Sequence, residues 1–215
     1  MFNLILKDIL IQKKTLAYLW FYVIIFSIAF QGMDMDTFTV IAVTVTYQMV
    51  NTACAYEDKA GSDIMWNSMP MNRKKIVLSK YLSVFIYTVI AALAYMIFAI
   101  LINLIGIPIK VAPITITGLA AAFISTILMN GIYFPVYFKF GYMSARVMST
   151  ILFFILFAGI MSLAQMANSK QSGALFKTFN NASDLQIISA MIVAALVFML
   201  ISYILSVKFY NNREF

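Results

Sequence analysis

Histidine is absent from this sequence of 215 residues, and cysteine occurs once, as Cys54. An internal disulfide is therefore excluded, and so is a zinc cluster of His and Cys ligands. Charge is scarce as well: 11% of residues are Asp, Glu, Lys or Arg, against about 25% in an ordinary soluble domain. No GxxxxGK[ST] occurs, so the chain has no phosphate-cradling P-loop. No GxSxG, His-Glu pair or acidic pair lies within an apolar run, which removes the parts of an intramembrane hydrolase. Nor is any apolar run interrupted at its centre by a charge. Proton-driven carriers, voltage sensors and most ion pumps need such groups, although sodium sites built from carbonyl oxygens escape this test. If the chain takes part in active transport, the energy has to come from another polypeptide.

What is abundant is apolar surface. Hydrophobic residues make up 63% of the chain, more than a water-soluble fold of this length can hide. The apolar runs are continuous and long. A barrel strand would alternate over about ten residues, whereas backbone in lipid must satisfy its own hydrogen bonds, so long runs mean helices. The expected fold is an all-α membrane protein, a single transmembrane domain over 1–215. Six spans are expected at 15–33, 37–56, 81–107, 114–138, 147–167 and 185–207, each near the roughly 20 residues that cross about 30 Å of hydrocarbon. Ahead of them, 1–14 reads as an amphipathic interfacial helix, with Asn3, Lys7 and Lys14 on one stripe and Phe2, Leu6, Ile9 and Leu10 opposite. Asp8 and the lysines there, with no small-residue cleavage site following, argue against a signal peptide. Pro135, near the exit of the fourth span, lacks a backbone donor and favours a kink.

The net charge is +7, yet the positive residues flank apolar runs and form no basic face for nucleic acid. Six spans put both termini on one side. All but three of the 15 Lys and Arg then share that side, the exceptions being Lys110, Lys170 and Lys177. Basic residues in short loops stay cytoplasmic, so the expected location is a plasma membrane, multi-pass, with both termini inside.

The longest charge-rich stretch, 56–81, lies between the second and third spans and is expected to be solvated. Gly61 and Ser62 can open a short helix, Asp63 suits its first turn and Met69-Pro70 closes it. Ile64, Met65, Trp66 and Met69 would then present large apolar groups on a wet element, either as an anchor for a partner or by dipping into the headgroups. Asn72 reads as the cap of the next helix, which places Arg73, Lys74 and Lys75 at the unfavourable end of its dipole; attraction to lipid phosphate can offset that. Within the spans, Thr44, Gln48 and Asn51 share one helical face, as do Thr126, Asn130 and Tyr133. Either set could line a path or hydrogen-bond between helices, and packing is the more common role.

These stretches resemble the permease subunits of ABC-2 type exporters, in particular the small six-span permeases of Gram-positive bacteria. MFNLILKDILIQKK is similar to that family's connecting helix, and YEDKAGSDIMWNSMPMNRKKIVLSKYL to its first cytoplasmic loop. FPVYFKFGYMSAR, 134–146, resembles the segment after its fourth span. The resemblance covers the whole chain and implies a type V exporter-like fold. It implies a cytoplasmic coupling loop at 57–80 that docks in a cleft of a separate ABC ATPase, two ATPase subunits per complex, with ATP and Mg bound there and no cofactor in this chain. The coupling residues would be Glu57, Asp58, Ser62, Asp63, Ile64, Trp66 and Asn67. Thr44, Gln48 and Asn51 are the candidate translocation path. A second permease copy, identical or a close paralogue, would complete the complex. The resemblance further implies export of amphipathic or antimicrobial peptides, with peptide immunity without transport, or ion or lipid movement, as alternatives. On this reading the chain is not itself an enzyme. A stand-alone carrier or channel is the remaining possibility.

Overall fold

The computed structural model describes residues 7, 10, 12–30, 36–61, 72–105, 113–168 and 184–213. These form six helices: α1 (Lys13–Ala29), α2 (Thr37–Lys59), α3 (Arg73–Ile105), α4 (Ile116–Phe140), α5 (Tyr142–Asn168) and α6 (Asp184–Asn211). Among the described residues, α2, α3, α4 and most of α6 are long and apolar enough to cross a membrane. The apolar parts of α1 and α5 that meet the same composition are shorter, Tyr18–Ala29 and Tyr142–Ile155.

The helices start and stop where local chemistry directs. The Thr115 hydroxyl caps α4 by accepting from the Gly118 amide at 3.0 Å. The Asn72 side chain accepts from the Lys74 amide at 3.0 Å, as its cap pattern predicts. Between α4 and α5 a single residue, Gly141, turns the chain with φ 84°. That left-handed backbone favours glycine, and its amide closes onto the Tyr137 carbonyl at 2.9 Å.

The core helix is α2. Of its apolar window 78% is buried, against 11% for α6, and an unbroken run from Phe38 to Thr46 is enclosed. A helix buried on every side is held by neighbours all round, here α1, α3, α4 and α5. The outer faces of α5 and α6 leave Phe154, Ile155, Leu200 and Ile204 exposed, as a lipid-facing surface would.

The closest pairing is α4 on α6, and one backbone position explains it. Pro135 has no amide to donate to the carbonyl four residues earlier, which belongs to Gly131. The Ser202 hydroxyl of α6 donates to that carbonyl instead, at 2.5 Å. Gly131 also lacks the side chain that would block this approach, since a Cβ there would meet the Phe198 ring at 2.6 Å. The Tyr81 hydroxyl of α3 lies 2.6 Å from Ser202 and 2.8 Å from Ser206. A proline, a glycine, two serines and a tyrosine thus join three helices by hydrogen bonds inside the bundle.

Candidate coupling junction and polar groove

Glu57 sits in the last turn of α2 and is 8% exposed. Its Oε1 lies 2.7 Å from Lys80 Nζ on α3 and 2.5 Å from Lys7 Nζ in the N-terminal segment. The Lys80 side chain is 7% exposed and that of Lys7 28%. A carboxylate at such depth is tolerable only when paired, and here two ammonium groups share one oxygen. The solvated stretch expected at 56–81 is therefore shorter than its composition suggests. Glu57, Lys80 and Tyr81 are buried, because α2 and α3 extend into it and pack together through the ion pair. Asp58, one residue on, is turned about 100° around the helix and is exposed.

The N-terminal segment is pinned a second time. Gln12 is fully buried and donates from Nε2 to the Met49 carbonyl at 2.7 Å and to the Tyr87 hydroxyl at 3.1 Å. Leu10 is exposed; the rest of the expected interfacial helix ahead of Gln12, apart from Lys7, lies outside the described residues. So do the candidate coupling residues Ser62, Asp63, Ile64, Trp66 and Asn67. What is described is the two feet of that segment. One is Lys59 to Gly61, ending α2. The other is Asn72 and Arg73, starting α3.

Arg73 corrects an expectation. Its guanidinium donates to the Tyr210 and Asn211 carbonyls, each at 3.1 Å, and lies over the Tyr210 ring. A cation is unfavourable at the start of α3 but favourable at the end of α6, whose last carbonyls lack helical partners. The compensation comes from the protein's own C-terminal helix as well as from any lipid. Lys74 and Lys75 are exposed. These contacts, with Lys7 on Glu57, put both terminal segments beside the feet of the polar loop at one end of the bundle.

Above Glu57, α2 and α5 diverge around a groove of about 390 Å³. Gln48, Asn51 and Thr52 line it from α2, and Tyr142, Arg146 and Thr150 from α5. At its inner end the Tyr47 hydroxyl lies 3.1 Å from Thr150 Oγ1, and the Tyr47 ring stacks on Phe153 with centroids 5.1 Å apart. Asn51 donates to the Tyr47 carbonyl at 3.1 Å and accepts from Ser149 at 3.4 Å. Two of the candidate path residues, Gln48 and Asn51, thus line the groove. Thr44 does not; it is buried and donates to the Val40 carbonyl at 2.8 Å. In the second stripe, Thr126, Asn130 and Tyr133 are all buried in α4. Tyr142, Arg146 and Thr150 were not singled out by sequence, although Tyr142 and Arg146 lie within the FPVYFKFGYMSAR stretch at 134–146.

Among the described residues the contacts in this region are packing, hydrogen bonds and ion pairs. A family model described as ABC-2 family transporter protein matches residues 3–211. The chain belongs to that family. No individually curated protein and no solved structure matches it in the same comparisons. As an ABC-2 permease it is a multi-pass membrane component of a transporter, not itself catalytic, and its family works with an ABC ATPase component.

Proposed function

We propose that this ABC-2 permease is the membrane half of an ATP-driven exporter of amphipathic peptides. It works as a pair of permease copies with two separate ATPase subunits. Both termini and the 57–80 segment face the cytoplasm, where the ATPase docks on the short helix carrying Asp63, Trp66 and Asn67. The observation that supports this most is that one helix, α2, carries both ends of the linkage. Its last turn holds Glu57, tied to Lys7 and Lys80 at the foot of the docking segment. About one and a half to two and a half turns back it presents Asn51 and Gln48 to the groove. A displacement that reaches Glu57 is then carried to the groove wall along one continuous helix, Thr37–Lys59.

The test is reconstitution with a cognate ABC ATPase. Trp66→Ala is expected to leave membrane insertion normal, keep ATP hydrolysis within about twofold and reduce peptide efflux by tenfold or more. Efflux unchanged by that substitution, or a native complex without any nucleotide hydrolase, overturns the coupling role. Solute movement by the permease alone in liposomes would replace export by a carrier or channel.

A further inference from the structure

The groove between α2 and α5 has more hydrogen-bond donors than the protein uses. Tyr47, Asn51, Thr52 and Thr150 are committed to one another or to backbone carbonyls. The side chains of Gln48, Tyr56, Lys59, Tyr142 and Arg146 also line it, and they form no hydrogen bond or ion pair with any other described residue. Two of these five are permanent cations. Asp58, next along α2, is exposed and is not among the described lining residues, so at most one carboxylate lies near the two cations. Glu57 cannot add a second, because Lys7 and Lys80 hold it. A site with spare donors and excess positive charge selects an anion rich in acceptor oxygens.

We infer that this groove binds the phosphate head group of an anionic phospholipid, with Lys59 and Arg146 on the phosphate and its acyl chains along α5. Two features favour a lipid over a folded peptide. The groove lies at the end of the bundle where Lys74, Lys75, Lys139 and Lys208 are also exposed, the level at which an anionic leaflet attracts basic residues. Beside it, Val147, Ile151 and Phe154 form an exposed apolar stripe on α5 at helical spacing, a track for hydrocarbon. The inference does not require the export reading, because the binding is measured without ATPase or cargo.

The experiment uses the full chain, purified in dodecyl maltoside, with phosphatidylglycerol or phosphatidylcholine added and bound lipid counted by native mass spectrometry. Phosphatidylglycerol is expected to be retained and phosphatidylcholine lost. The double variant Lys59→Gln/Arg146→Gln should weaken phosphatidylglycerol binding at least tenfold. Lys74→Gln/Lys75→Gln removes the same charge from exposed positions at the same end and should change it less than threefold. Circular dichroism and the unfolding temperature verify that both variants are folded. Equal loss in the two variants, no loss in either, or equal retention of both lipids overturns the site. Displacement of the lipid by an equimolar amphipathic helical peptide would assign the groove to cargo and overturn the lipid assignment.

Discussion

Replacing Glu57 by alanine would remove the carboxylate that the buried Lys80 shares with Lys7. Breaking a buried pair from one side costs about 3–5 kcal/mol, so Glu57→Ala should lower the detergent unfolding temperature more than any exposed substitution. Lys80→Met added to Glu57→Gln removes both charges of the buried pair, and Lys7, the most exposed of the three, can turn outward. That double variant should recover most of the loss, because an apolar replacement of a buried pair is often neutral. If the double variant is as unstable as the single one, the ion pair is not what holds α2 to α3. The sequence shows an acid and a lysine in what looks like one wet loop. It does not show that they meet, since 23 residues separate them and only the lengths of α2 and α3 bring them together. The adjacent acids make the same point: Glu57 is buried and Asp58 exposed, a distinction set by helix phase and invisible to composition.

The α4–α6 contact turns on a backbone carbonyl, which makes a double-mutant cycle informative. Ser202→Ala leaves the Gly131 carbonyl without a partner in an apolar interior and should cost about 1–2 kcal/mol. Pro135→Ala restores the amide that the carbonyl would accept from within α4. In that background, Ser202→Ala should cost no more than about 0.5 kcal/mol, a coupling that unfolding in detergent can resolve. Equal costs in both backgrounds would mean that the serine acts only through Tyr81. Pro135 and its missing donor are legible in the sequence; the serine that replaces the donor, 67 positions later, is not. The end of α6 offers a second test. Arg73→Gln withdraws the guanidinium from the Tyr210 and Asn211 carbonyls, and hydrogen exchange over 208–212 should quicken about five- to tenfold, with the middle of α6 unchanged. Uniform protection would show that the helix end is held by its aromatic packing on Phe138.

Six apolar helices and their order could be read from the chain because lipid forces long, continuous apolar runs. Packing could not, because hydrophobicity alone does not say which run is buried by its neighbours: α2 has the lowest mean hydropathy of the four long helices and is the most enclosed. At the scale of the molecule the lopsided Lys and Arg are the basis of the proposed orientation. Contacts within the bundle tie both terminal segments to the feet of the 57–80 segment, and Gly141 to the neighbourhood of Arg213. By the charge rule, the proposed placement of that end is in the cytoplasm. In a Cys54→Ala background, single cysteines at Lys74, Ser144 and Ile116 test this, all three positions being exposed. An impermeant maleimide added to intact cells should label Ile116→Cys, which begins α4 at the opposite end. Lys74→Cys and Ser144→Cys should react only after permeabilisation. The reverse pattern would invert the protein and with it the docking face. Labelling of Lys74→Cys and Ser144→Cys from opposite sides would break the link between the loop and the groove on which the proposed transmission through α2 depends.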